Sequence, residues 1–309
     1  MTPTTLGRLA RRGRHVAVWA AIAGLVLVAA PALEAGGIKH GTVRLRDGVT
    51  IHYRATAKGP GPTLVFVPGW MMTGAIWEPQ LTHFAATRHA VALDPRGQGR
   101  STKTPEGLQP AARARDIKGV IDRLKLAPVV LVGWSMGASE VAQFVDQFGT
   151  ADLAGLVLVD QSLGGEPNPA ARSAVIQWLG DVQADRLKET TAFVRGLFKQ
   201  PQPEAYLARV TKDAMATPTA TAVALYVGSM ASSSAAALAR IDKPTLIVYA
   251  SDLDPDPAYV RMQARIAGSR LERIEGAGHA LFVDQADRFN RVLDAFVSGL
   301  PDGRAAHPR

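Results

Sequence analysis

The chain has 309 residues, of which 47% are hydrophobic and 20% charged, with no cysteine and a net charge of +8. That apolar share excludes a disordered chain. The missing cysteines exclude disulfides, thiolate metal sites, iron–sulfur clusters, a cysteine nucleophile and lipid attachment at cysteine. Arg8, Arg11, Arg12 and Arg14 lie before the first acid, Glu34, and without residues 1–32 the net charge falls to +4. The remaining charges alternate in sign, so the clustered basic face that nucleic acid requires is absent from the pattern. The length suits two average domains, or one large domain carrying an insertion.

The arginine-rich start leads into an uncharged run from Val16 to Ala30, and Ala30-Pro31-Ala32 follows as a small-x-small cleavage pattern. This predicts a signal peptide over 1–32 and an exported protein, periplasmic or secreted. The alternative is a retained anchor over residues 16–33, just long enough to span a bilayer. Contact with a membrane is expected only in that case.

Residues 41–48 and 49–56 alternate at period two around Asp47-Gly48, which predicts a β-hairpin. Thr63–Val67 is continuously apolar, as a buried parallel strand is. Strands are then expected at 89–93, 129–132 and 156–159, with helices at 112–126 and 136–148. Residues 162–240 hold no convincing strand, only helical stretches at 171–179, 186–198, 203–214 and 219–230. The alternation resumes with a strand at 244–249, a helix at 258–267, a strand at 271–274 and a helix at 286–300. The expectation is an α/β fold: a mostly parallel sheet with helices on both faces. The core is assigned to 33–161 and 241–300, a helical cap to 162–240 and a tail to 301–309.

Gly133-Trp134-Ser135-Met136-Gly137 falls between an expected strand and an expected helix. In that setting G-x-S-x-G holds a serine on a strained turn, with small residues two before and two after it. Ser135 would then point at the N-terminus of the helix, where free N–H groups favour an oxyanion. A serine hydroxyl needs a base. His279, in Gly276-Ala-Gly-His-Ala280 after the last strand, lies near the edge where open α/β sheets place their chemistry. The other six histidines fall in the tails, the hairpin or a helix–strand link. An acid should orient the base from a loop after a strand. Ala250-Ser-Asp-Leu-Asp-Pro-Asp-Pro257 offers Asp252, Asp254 and Asp256, and Asp160 ends its own strand. A calcium loop beginning at Asp252 would need Gly at position six and Glu at twelve. The chain has Pro257 and Gln263 there, so no metal is expected.

These residues together resemble the α/β-hydrolase superfamily, in particular its capped haloperoxidase-like and esterase-like members, over about Thr42 to Leu300. Asp94-Pro-Arg-Gly-Gln-Gly-Arg-Ser101 is similar to the D-x-R-G-x-G-x-S loop after the fourth strand. Val67-Pro-Gly-Trp70 is similar to the oxyanion loop, with Pro68 where His is usual. The resemblance implies an oxyanion hole built from the N–H groups of Trp70 and Met136. It also implies acyl transfer to water, with Ser135 as nucleophile, His279 as base and no cofactor. The family usually sets its acid three residues after a strand-ending glycine. Here Ala250 takes that place and Leu253 is three residues on, so one added residue favours Asp254, ahead of Asp252 and then Asp160. A serine at the elbow argues against epoxide hydrolases and haloalkane dehalogenases, which use aspartate there. The expected partner is a small ester or lactone. A diketone cleaved at a C–C bond, or a ligand held by a catalytically silent fold, are the alternatives. Met71, Met72, Trp134, Met136 and an Ala-rich cap suggest an apolar acyl pocket.

Overall fold

A computed structural model describes residues 37–165 and 169–300; the expected signal or anchor and the tail lie outside them. Eight strands form one sheet: β1 (Lys39–Arg44), β2 (Thr50–Ala55), β3 (Thr63–Val67), β4 (Ala90–Asp94), β5 (Val129–Trp134), β6 (Leu153–Val159), β7 (Thr245–Tyr249) and β8 (Arg270–Arg273). Their spatial order is β1-β2-β4-β3-β5-β6-β7-β8. The hairpin is antiparallel, β2 meets β4 antiparallel, and every later pairing is parallel. The central strands β3, β4 and β5 are buried at every residue, which is why they read as unbroken apolar runs. Register places Val67 beside Gly133, Trp134 beside Val159 and Val159 beside Val248. The C-terminal ends of four strands therefore meet along one edge.

Helices cover both faces. Helix α1 (Glu78–Phe84) was not visible in the hydrophobic pattern; it is short and opens with proline inside its first turn. Helices α2 (Pro110–Leu124) and α3 (Met136–Phe148) lie together on one face. Residues 162–240 supply five helices: α4 (Pro169–Ala184), α5 (Arg186–Gly196), α6 (Glu204–Met215), α7 (Thr219–Ala231) and the single turn α8 (Ala235–Leu238). After them come α9 (Pro257–Gln263), α10 (Leu281–Asp284) and α11 (Ala286–Ser298). Helix α11 buries Phe289, Leu293, Phe296 and Val297, the one-sided spacing of a helix laid on a core.

The cap helices dock through Trp70, in the loop after β3. Its indole N–H donates to Ala222 O at 2.7 Å. Its ring packs edge-on against Trp178, Phe193 and Tyr226, with centroids 5.0–5.1 Å away. Three cap helices thus converge on one residue of the core.

Between α2 and α3 lies a buried ion pair: Arg113 Nε stands 3.1 Å from Glu140 Oε1, and both side chains are 1% exposed. The two charges face each other, yet poor alignment leaves both Glu140 oxygens without a hydrogen bond. Burial pushes Glu140 up to about 7, and Arg113 opposes that rise. Glu140 therefore binds its proton more tightly folded than unfolded. Its contribution to stability is greatest below its ordinary value of 4.5 and is lost as pH rises through the folded value. Arg113→Met leaves the carboxylate uncompensated and should cost about 3–5 kcal/mol at neutral pH. Thermal melts should show the acid side of that variant destabilised least. Arg113→Met with Glu140→Leu should recover most of the loss, and a double variant as unstable as the single one would show that the pair's charge is not the cause.

Candidate active site

Ser135 connects β5 directly to α3 with φ 54° and ψ −124°, a conformation that costs a non-glycine residue on the order of 1–3 kcal/mol. The two flanking glycines make it possible. A Cβ on Gly133 would lie 2.6 Å from the Gly137 carbonyl oxygen, and one on Gly137 would strike the carbonyl oxygen of Val67. Ser135 N–H donates to Val159 O at 3.0 Å, tying the turn to β6. The seryl residue is half-buried at the floor of the cleft.

His279 reaches the same edge from the loop after β8. Trp134 indole N–H donates to His279 O at 2.8 Å, and the Trp134 ring lies 5.1 Å from the imidazole. Ala280 N–H donates to Leu197 O at 2.8 Å, and Gly278 N–H to Asp284 Oδ2 at 2.7 Å. Gly278 has no room for a side chain, because a Cβ would lie 2.8 Å from both Leu197 O and Lys199 N. The loop is thus held to the core and to the end of α5 together.

The imidazole's partner corrects the expectation of Asp254. His279 Nδ1 lies 2.7 Å from Asp160 Oδ2. Asp160 is the first residue past β6, turned by φ 44° and almost fully buried. Its other oxygen accepts Ala250 N–H at 2.8 Å and the Tyr259 hydroxyl at 3.2 Å. Burial and the neighbouring Asp160 push the Tyr259 hydroxyl well above its ordinary range, so it acts as a donor. Asp254 instead meets Arg273 at 3.1 Å with 58% of its side chain exposed. Asp252 pairs with Lys199 at 2.8 Å and is 91% exposed. Asp256 caps α9 through Ala258 N–H. All three are held by cations or by the backbone of the protein surface. With Nδ1 engaged by Asp160, Nε2 is the imidazole nitrogen left to exchange a proton.

Trp70 and Met136 flank Ser135, and among the described residues neither main-chain N–H donates to a protein acceptor. Pro68 cannot brace the oxyanion loop as a histidine would, and Gln98 does so. Its amide N–H₂ donates to Gly69 O at 3.1 Å and Met72 O at 2.6 Å, and its oxygen accepts Met71 N–H at 3.2 Å. Gln98 belongs to the Asp94–Ser101 loop, whose Asp94 accepts Gly74 N–H, Arg100 N–H and His52 Nδ1 at 2.8, 2.8 and 2.9 Å. Sequence alone marked that loop, but the contact of Gln98 is made across the fold and has no signature of its own.

A cavity of about 590 Å³ opens above Ser135 between the strand edge and the cap. The apolar expectation for it is corrected. Met71, Met72 and Trp134 are packed into the core and do not line it. Trp70, Met136, Leu163, Tyr226 and Met230 are its larger apolar lining residues, and serines, Gln161, Arg172 and Arg265 supply polar groups beside them.

Comparison with known proteins agrees with this architecture. Residues 64–292 match the model of the alpha/beta hydrolase family. A non-heme chloroperoxidase of Kitasatospora aureofaciens is 30% identical over 270 residues, covering 82% of this chain and 98% of that protein. A bifunctional esterase/perhydrolase of Acinetobacter calcoaceticus is 26% identical, covering 83% and 99%. An esterase from Exiguobacterium antarcticum superposes with a TM-score of 0.77 at 24% identity, covering 84% and 99%, and shares the fold. The protein is a hydrolase, and the chain belongs to the alpha/beta hydrolase family.

Proposed function

We propose that this hydrolase cleaves a carboxylic ester or lactone through an acyl-enzyme on Ser135. The observation that carries the reading is the 2.7 Å contact between His279 and buried Asp160, at the strand edge where Ser135 is held on a strained elbow. Ser135 Oγ attacks the carbonyl carbon while His279 Nε2 takes its proton. The N–H groups of Trp70 and Met136 receive the oxyanion, where each such donor is worth roughly 10²–10³ in rate. The intermediate collapses, the alkoxide leaves with the proton held by His279, and the acyl group stays on Ser135. Water then attacks by the same route, restoring the serine and releasing the acid. Asp160 stabilises the imidazolium formed in both steps, and Tyr259 with Ala250 N–H fixes the carboxylate that does so. Hydrogen peroxide in place of water would give a peracid, in keeping with the relative named an esterase/perhydrolase.

Turnover of p-nitrophenyl esters tests the roles separately. Ser135→Ala and His279→Ala should each lower kcat on the order of 10⁵–10⁶-fold without changing the melting temperature much. Either variant retaining a tenth of wild-type turnover would sink the assignment. Asp160→Asn should lower kcat roughly 10³–10⁴-fold with little change in KM, whereas Asp254→Asn and Asp252→Asn should stay within about twofold of wild type. Collapse in Asp254→Asn alone would return the acid's role to that residue.

The export reading is proposed on the same footing, from the arginine-led apolar run and Ala30-Pro31-Ala32. The mature chain should begin near Leu33 and appear outside the cytoplasm. N-terminal sequencing that finds Met1 or Thr2 on a soluble cytoplasmic protein is the contrary outcome.

A further inference from the structure

The cavity above Ser135 is polar where a lipid-type acyl pocket would be greasy. Ser139, Ser162, Ser229 and Ser234 contribute hydroxyls that, among the described residues, engage no protein partner. Two guanidinium groups join them. Arg172, on α4, makes no ion pair or hydrogen bond within the described protein, although acidic partners occupy most of the other cap cations. Arg265, after α9, spends one N–H on Gly164 O at 3.0 Å and keeps its other donors. No acidic side chain lines the cavity among the described residues. Two cations on opposing segments, one from the cap and one from the core, face a single open cavity with no acidic side chain among the described residues that line it.

We propose that the cavity selects esters that carry a carboxylate, the two arginines binding the anion while the ester carbonyl sits at Ser135. This rests on the acyl-transfer reading above and adds the substrate class to it. A planar guanidinium donates two parallel N–H bonds to a carboxylate, which fixes the substrate's orientation as well as its affinity. About 590 Å³ accommodates a small half-ester of a dicarboxylic acid, and the serine hydroxyls solvate the polar remainder of such a molecule. Trp70, Met136 and Tyr226 cover the short hydrocarbon stretch between ester and acid.

The test compares mono-4-nitrophenyl adipate with its methyl ester, which has the same reacting bond and no charge. The free acid should be preferred in kcat/KM by about tenfold or more, the scale of hydrogen bonds to a charged group. Added salt should erode the preference, because both arginines are reached by solvent. Arg172→Gln with Arg265→Gln should bring the ratio near one. Arg261→Gln, which removes an exposed charge of α9 outside the cavity, should retain it. Equal rates for the two esters, or a preference that survives the double substitution, overturns the proposal. Calorimetric titration of Ser135→Ala protein with monomethyl adipate and dimethyl adipate separates the two readings. Selective binding of the monoanion by Ser135→Ala protein, with no hydrolysis of either 4-nitrophenyl ester by the wild-type enzyme, would refute acyl transfer and support the carboxylate site. Hydrolysis of both 4-nitrophenyl esters by the wild-type enzyme, without selective binding of the monoanion by Ser135→Ala protein, would do the reverse.

Discussion

The site depends on how closely two strands can approach the first turn of α3. Gly137 lies against the carbonyl of Val67 at the end of β3, and Gly133 lies against Gly137 itself. Neither contact tolerates a methyl group. Only because that space is empty can Ser135 hold φ 54° and lift its hydroxyl clear of the sheet. The same approach brings the loop after β3 over the helix N-terminus, so that Gly69 packs directly on Ser135. Ser135 and the loop that carries Trp70 are therefore placed by one packing event. Strand order serves it too, since β3 and β5 must be neighbours for their ends to meet.

That approach is held by polar residues rather than by the apolar core alone. Asp94 at the end of β4 gathers two backbone N–H groups and a histidine, which fixes the loop carrying Gln98. Gln98 spans the oxyanion loop with three hydrogen bonds, and Arg96 in the same loop grips Asp116 of α2 at 2.8 and 2.6 Å. Trp70 carries the constraint upward into the cap through its aromatic neighbours. Trp70, next to the Gly69 that packs on Ser135, thus has a side chain that anchors the roof of the cavity. The cap and the loop beside Ser135 are linked through that one residue.

Much of this was legible because the relevant signals are local. The continuous apolar runs of β3 to β7 read as buried strands, and G-x-S-x-G needs only its two neighbours to be understood. Asp160, the carboxylate that meets His279, stood only third among the sequence candidates for the opposite reason. Asp252, Asp254 and Asp256 crowd the loop after β7, where a carboxylate is customary, and spacing cannot show that Lys199, Arg273 and the start of α9 hold them. The character of the cavity was hidden likewise. Met71 and Met72 stand beside the oxyanion loop in sequence but point into the core, while Arg172 and Arg265, 93 positions apart, are joined only by folding.

A signal for Asp160 did exist. Leu156-Val-Leu-Val159 is an apolar run that stops abruptly at a carboxylate, as β5 stops abruptly at Ser135. Both residues follow their strand immediately, and both take a positive φ, 54° and 44°. The two strands are adjacent and in register, Trp134 beside Val159, so Ser135 and Asp160 leave neighbouring strand ends by similar turns. Ser135 N–H bonds to Val159 O and Asp160 N–H to Val248 O, a ladder that continues past the strands and locks each turn to the next. An acid built there moves with the sheet. The loop after β7 then contributes Ala250 N–H and α9 contributes Tyr259, while Asp252 and Asp254 of the loop make surface ion pairs and Asp256 caps α9. Rigidity comes from the sheet and orientation from the loop, so the imidazole is steadied by two elements that need not change together.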